Sequence, residues 1–157
     1  MDIATTARRT LLALLSIVFC GNLYAAEIQV AIDFNRDAIE SREANRPIVA
    51  LLTADYCVYC EIVKKEIFQH ITADPRIILR ELSIDSDTTL IDFDGSQTTP
   101  RQFARGRQVT FTPTVLFLDT KGQSLADPLE GVSTIDYYGF YLEKRIKGSL
   151  EVLQERS

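Results

Sequence analysis

Two cysteines separated by two residues carry the clearest chemistry in this sequence. Cys57 and Cys60 stand in the stretch ADYCVYCEIVKK, residues 54–65. A pair with this spacing can form a redox couple, contribute half of a metal site, or form a structural disulfide. Other features of the chain separate these three interpretations.

A metal site would need more ligands than the chain supplies near this pair. Zinc and iron–sulfur centres take about four ligands, commonly two such pairs or one pair with histidines. The 157 residues include three cysteines and one histidine. Cys20 falls in an N-terminal segment that we expect to be removed, and His70 lies near the far end of the helix predicted after the pair. We therefore expect no metal, although two thiolates could still deliver a soft ion such as Cu(I).

The two-residue spacer favours a redox couple over a structural disulfide. A structural disulfide stabilises by closing a long loop in the unfolded chain, and this one would close almost nothing. At the start of a helix, unpaired N–H groups and the helix dipole favour the thiolate of the first cysteine. We expect Cys57 to attack a partner's disulfide and Cys60 to resolve the mixed disulfide. No cofactor is needed beyond the Cys57–Cys60 disulfide itself.

The residues around the pair predict a buried strand followed by an amphipathic helix. Residues 48–52 form a short, continuous apolar run, as in a strand that is covered on both faces. After the pair, apolar residues recur at helical spacing, with charged residues between them. Cys60 precedes Val63 by one turn and shares its buried face. The apolar stripe comprises Ile62, Val63, Ile67, Phe68 and Ile71.

Strand and helix patterns alternate along the rest of the chain. We predict a helix over residues 34–45, an edge strand over 28–32 and a further strand over 77–85. A polar segment over 86–99 contains a turn, and a short helix follows Pro100. The remaining predicted elements are a buried strand over 114–119, an antiparallel edge within 125–132, and a C-terminal helix after Ser133. This order predicts a three-layer α/β domain with a central mixed sheet and helices on both faces.

The first 26 residues have the layout of a secretory signal peptide. Arg8 and Arg9 precede a short apolar run over residues 11–19, and Leu23-Tyr24-Ala25-Ala26 offers small residues for cleavage. We therefore divide the chain into a signal peptide, 1–26, and one domain, 27–157. This predicts a periplasmic protein, in a compartment where disulfides persist. The net charge of −5 provides no basic surface for nucleic acid.

Three further motifs, in this order and spacing, resemble the thioredoxin-fold family. TPRQFARGRQVTFTPT (99–114) is similar to the family's short helix and approach to a cis-proline, and TPTVLFLDTKG (112–122) to that loop and the hairpin after it. LEGVSTIDYYGFYL (129–142) is similar to its glycine and closing helix. The resemblance covers residues 34–142 and is greatest to exported thioredoxin-related thiol–disulfide oxidoreductases.

The resemblance implies a substrate-binding surface around the cysteines. Pro113 is expected to be cis and to expose the main chain of Thr112, so that a substrate segment can pair with it as an added strand. Tyr56 and Tyr59, beside the cysteines, belong to the same expected surface. Two positions depart from the family. Leu51 stands where thioredoxins place a buried acid. Glu81, on the neighbouring strand, stands near the position that thioredoxins give to the lysine partner of that acid. Glu81 is therefore a possible proton acceptor, although an exposed strand glutamate is the simpler interpretation.

Charges near the pair favour a reductant. Asp55 and Glu61 oppose thiolate formation at Cys57, and the Val58-Tyr59 spacer adds no positive charge. We expect a monomer that reduces protein or peptide disulfides and is recharged by a membrane electron donor, without any role for nucleic acid. The alternatives are a disulfide-forming oxidant and a non-catalytic peptide-binding module of the same fold.

Overall fold

A mixed four-stranded sheet forms the centre of the molecule, in a computed structural model that describes residues 27–156. Its strands are β1 (Ile48–Thr53), β2 (Ile78–Ser83), β5 (Thr114–Leu118) and β6 (Leu129–Glu130), in the order β2-β1-β5-β6. β1 is parallel to β2 and antiparallel to β5, which pairs antiparallel with β6. The predicted mixed sheet is confirmed.

Helices cover both faces of this sheet, as the apolar run of β1 predicts. Every residue of β1 is buried. Val49 and Leu51 lie in the core shared with α2 (Val58–Glu66) and α4 (Ile135–Arg156). Ile48, Ala50 and Leu52 lie in the core shared with α1 (Phe34–Ala44) and α3 (Pro100–Gly106). Because successive strand residues point to opposite faces, one continuous apolar strand supplies two cores.

The polar segment between β2 and α3 contains a small hairpin that we did not predict. β3 (Leu90–Ile91) pairs antiparallel with β4 (Gln97–Thr98), apart from the main sheet. The predicted turn lies between them, where Gly95 has a φ of +83° and donates its N–H to the carbonyl of Asp92.

The helix after the cysteines is shorter than predicted. α2 ends at Glu66, and a separate 3₁₀ helix spans Phe68–His70, so our prediction of one helix reaching Ile71 was wrong. Ile67 lies between them with φ −122° and ψ −61°, outside the helical region. This break buries Phe68 completely and leaves Ile67 and Ile71 only partly buried at the edge of the core. Burial of one aromatic ring therefore outweighs continuation of the aliphatic stripe.

The predicted edge strand over residues 28–32 forms only an isolated bridge. Val30 pairs in parallel with Glu81 of β2: the Ala31 N–H donates to the Glu81 carbonyl, and the Glu81 N–H donates to the Gln29 carbonyl. The expected signal peptide, 1–26, lies outside the described residues. Within residues 27–156, no helix is long and apolar enough to cross a membrane.

Candidate active site

The cysteine pair lies where β1 ends and α2 begins. A short turn follows Thr53, in which Cys57 donates its N–H to the carbonyl of Ala54 at 3.3 Å. Tyr56 occupies the left-handed region with a φ of +59°. Residues other than glycine rarely adopt this backbone conformation outside constrained sites. The side chain of Tyr56 projects fully into solvent. Cys57 then caps α2.

Cys57 and Cys60 form a disulfide, with 2.07 Å between the sulfur atoms. Cys60 is 1% exposed and belongs to the buried face of α2, whereas Cys57 remains partly exposed. A large partner can approach the first sulfur and not the second. This is the arrangement that the predicted attacking and resolving roles require.

Two hydrogen-bond donors point at the sulfur of Cys57. The Cys60 N–H lies 3.2 Å from Sγ, and the Thr112 hydroxyl lies 3.5 Å from it. Donors aimed at one sulfur stabilise negative charge there, and they add to the field of the helix N-terminus. The site is therefore suited to hold a thiolate at Cys57 after the disulfide is reduced.

Thr112 contacts the disulfide and, with Pro113, immediately precedes β5. The peptide bond between them is cis. Pro113 accepts a hydrogen bond from the Gly131 N–H at 2.8 Å, which ties this loop to the end of β6. Within the described part of the chain, neither main-chain polar group of Thr112 has a hydrogen-bond partner. An extended peptide could therefore add to the loop at this point.

Glu81 is paired, contrary to the simpler interpretation of an exposed strand glutamate. Its side chain is 18% exposed and accepts hydrogen bonds from Lys64 Nζ and Thr53 Oγ1, both at 3.2 Å. Lys64 also pairs with Glu61 at 2.6 Å. Burial alone would lower the pKa of Lys64, but hydrogen bonds and charges from Glu61 and Glu81 outweigh it and raise that pKa. The Glu81 carboxylate therefore lies beside a cation.

Glu81, the possible proton acceptor, lies on the face of the sheet that α2 covers. Glu81 pairs in register with Leu51, which is fully buried among the residues that pack under α2. Lys64 lies one turn after Cys60 on α2. The Lys64–Glu81 pair therefore links α2 to β2 on this face of the sheet.

Three features of the site were not predicted from the sequence. Phe111 is 66% exposed beside Thr112, although we placed it only in an approach segment. The Asp85 carboxylate accepts the Asp55 N–H at 2.9 Å, and Asp55 accepts a hydrogen bond from Ser83. The parallel pairing of Thr53 with Ser83 brings these chain segments together. Strand order would have indicated this contact, because the carboxyl ends of adjacent parallel strands share one edge.

Over residues 27–156, no group of three or more His, Cys, Asp or Glu side chains could hold a metal ion.

Comparisons with known proteins agree with this geometry. The family model described as a thioredoxin-like domain matches residues 34–145, most of the chain. A DsbH oxidoreductase superposes with a TM-score of 0.56 at 18% identity, over 80% of this chain and 86% of that one. A mutant thioredoxin h from poplar gives 0.57 at 17% identity, over 82% and 88%. Thioredoxin 3 from Saccharomyces cerevisiae mitochondria, in its oxidised form, gives 0.52 at 19%, over 76% and 93%.

At these identities the structural likeness concerns the fold alone, and no curated protein sequence matches the chain. The family match spans both cysteines, the cis-proline loop and the first half of the closing helix, as the sequence resemblance implied. With its Cys57–Cys60 disulfide at the start of α2, the chain belongs to the thioredoxin-like family and is a thiol–disulfide oxidoreductase.

Proposed function

We propose that this protein reduces disulfides of proteins or peptides in the periplasm, using the Cys57–Cys60 dithiol. The observation that carries the proposal is the asymmetry of the pair. Cys57 is partly exposed and receives two hydrogen bonds at its sulfur, whereas Cys60 is buried one turn further along α2. The succession of basic, apolar and small residues in 1–26 supports export.

The reaction consists of two thiol–disulfide exchanges. The Cys57 thiolate attacks one sulfur of the substrate disulfide, so that a mixed disulfide forms and the other substrate sulfur leaves as a thiolate and takes up a proton. Cys60 then loses its proton and attacks Cys57 Sγ, which releases the second substrate thiol. The protein is left with the Cys57–Cys60 disulfide and has donated two electrons. A membrane electron donor restores the dithiol at the expense of its own thiols.

The charges beside the pair support the direction of electron flow. In a strong oxidant the thiolate is strongly stabilised, and this makes the reduced form of the protein stable. Here Asp55 and Glu61 flank the pair, and Lys64 is engaged by Glu61 and Glu81. We expect a reduction potential below that of the strong oxidant DsbA, about −120 mV. Equilibration with glutathione buffers measures it, and a value at or above that of DsbA would reassign the protein as an oxidant.

Serine substitutions of the two cysteines test the function and the roles together. Cys60→Ser should attack substrates but fail to release them, so that mixed disulfides accumulate on non-reducing gels and are cleaved by dithiothreitol. Cys57→Ser should abolish insulin reduction without accumulating adducts. Adducts with Cys57→Ser alone would reverse the roles. If both variants fold and neither traps a partner, the protein is a peptide-binding module, a function that the unpaired main chain of Thr112 would serve.

A further inference from the structure

Four exposed apolar side chains lie next to Cys57 or next to Thr112, whose hydroxyl contacts the Cys57 sulfur. We call them the apolar rim: Tyr56, Val58, Tyr59 and Phe111. Tyr56 is fully exposed, and the exposed fractions of the other three lie between 58% and 70%. They come from both segments that meet at Cys57, the β1–α2 turn with the first turn of α2, and the loop before β5. Such a concentration of exposed apolar side chains at a reactive group indicates a docking surface for a polypeptide.

Three carboxylates lie beside this rim. Asp55 immediately precedes Tyr56, and Asp85 accepts the Asp55 N–H. Glu130 lies on the opposite side, in β6, where it is the strand partner of Thr114. It immediately precedes Gly131, whose N–H donates to the Pro113 carbonyl. All three are exposed. Negative charge therefore borders the docking surface on two sides.

The nearby cations form their ion pairs with other carboxylates. Lys64 bonds to Glu61 and Glu81, and Arg101 of α3 makes its carboxylate hydrogen bonds to Asp87. Arg101 also donates a hydrogen bond to the main-chain carbonyl of Asp85, and its charge acts on the carboxylates of Asp85 and Asp55. Among residues 27–156, no Lys, Arg or His forms an ion pair with Asp55, Asp85 or Glu130. The carboxylates of Asp55 and Glu130 therefore leave negative charge on both sides of the rim, and Arg101 offsets part of it on the Asp85 side.

We propose that the site selects polypeptide disulfides flanked by apolar and basic residues, and discriminates against anionic disulfides such as glutathione disulfide. The inference rests on the proposed reductase function and adds its substrate class. An apolar side chain of the substrate packs on the rim, and a Lys or Arg beside the substrate disulfide meets Asp55, Asp85 or Glu130. Complementary charge raises the encounter rate, whereas like charge lowers it.

Paired peptide substrates test this selectivity. Two synthetic peptides carry the same intramolecular disulfide and the same flanking Phe, and differ only in flanking Lys or Glu residues. With dithiothreitol as the electron source, we expect kcat/KM for the Lys peptide to exceed that for the Glu peptide about tenfold at low salt. This ratio should shrink toward one in about 0.5 M salt, where the charges are screened. Glutathione disulfide should behave as the Glu peptide or worse.

Matched variants connect the effect to named residues. Asp55→Asn with Glu130→Gln should reduce the Lys/Glu preference several-fold, whereas Glu151→Gln, an exposed carboxylate near the end of α4, should not change it. Phe111→Ser should lower kcat/KM for both peptides, whereas Phe140→Ser, at 64% exposure on α4, should not. Folding of each variant is checked by its thermal melt.

Two results would contradict the inference in different ways. Equal kcat/KM for the Lys and Glu peptides at low salt overturns the charge selectivity and leaves the reductase function standing. Failure to reduce either peptide, together with failure on insulin, overturns the reductase function and the substrate class with it.

Discussion

The reactivity of Cys57 depends on a balance between two kinds of neighbour. The Cys60 N–H and the Thr112 hydroxyl donate to its sulfur and favour the thiolate. Asp55 and Glu61, two and four residues from Cys57 in the chain, carry negative charge that disfavours the thiolate. Since the position of this balance determines the reduction potential, single substitutions at these residues should tune it.

Replacing Thr112 by Val should make the protein more reducing. Valine has a similar shape but no hydroxyl, so the reduced form loses one donor to its thiolate. A hydrogen bond of about 1 kcal/mol corresponds to a decrease of about 20 mV in reduction potential. Redox equilibration with glutathione, followed by thiol labelling, measures the shift. Thr112→Ser keeps the hydroxyl and should stay near the wild-type value; an equal shift in both variants would assign the effect to packing.

At the scale of elements, the site depends on turns that are closed by tight contacts. The hairpin after β5 is the clearest example, because Gly122 has a φ of +70° and lies under the side chains of Arg107 and Phe93. Arg107 stacks on the ring of Phe103, 4.0 Å from its centroid, and links α3 to this hairpin through the Gly122 carbonyl. α3 leads directly into the loop that contains Thr112 and Pro113.

Gly122→Ala should destabilise the fold measurably. The added Cβ would lie 2.7 Å from Arg107 Nη2 and from Phe93 Cδ2, and the positive φ is unfavourable for alanine. We expect a loss of at least about 1 kcal/mol in the free energy of unfolding. Gly106→Ala is the matched control, because a Cβ there would meet nothing within 4 Å and the residue ends α3. Urea denaturation of both variants compares them, and equal stability would contradict the close approach.

Arg76 joins the loop before β2 to α4, and this contact should depend on pH. It bonds to Asp74 and to both carboxylate oxygens of Glu143. The hydrogen bonds from Arg76 hold the pKa values of Asp74 and Glu143 below their ordinary ranges. A lowered carboxyl pKa stabilises the fold above the unfolded value, about 4, and this contribution is lost as pH falls through the folded pKa.

The destabilisation caused by Arg76→Met should therefore disappear at low pH. At pH 7 we expect a loss of roughly 1 kcal/mol in the free energy of unfolding, since these groups are partly exposed. The difference from wild type should shrink as pH falls from about 5 to 2. Arg42→Met, at an exposed arginine of α1, should show no such trend. A difference that stays constant down to pH 2 would show that Arg76 acts by packing rather than by charge.

At the scale of the whole molecule, the proposed reductase has to work in an oxidising compartment. The pattern of residues 1–26 supports export, and we expect the mature chain to begin at or next to Glu27. N-terminal sequencing of protein from the periplasmic fraction checks this. A chain that retains Met1 in the cytosol would contradict both export and the need for a membrane electron donor.

Local patterns of residues are enough to determine much of this protein. The Cys57–Cys60 spacing indicates a redox pair, and the apolar run of β1 indicates a strand covered on both faces, because each signal lies within a few residues. The order of strands and helices then predicts the mixed α/β sheet. The length of α2 is beyond such reasoning, since its end at Glu66 depends on where the ring of Phe68 packs in the core.

Local patterns do not determine which groups surround the reactive sulfur; the tertiary structure does, and only the family resemblance indicated Thr112 in advance. Thr112 is 55 residues from Cys57 in the chain, yet its hydroxyl contacts Sγ. Asp85 meets the turn before Cys57 through the parallel pairing of β1 with β2, and Glu130 reaches the site through β6. Periodicity identifies the face on which a residue lies but not the residue opposite it. Register and strand order supply that information, and they arise only when the whole sheet packs between its two layers of helices.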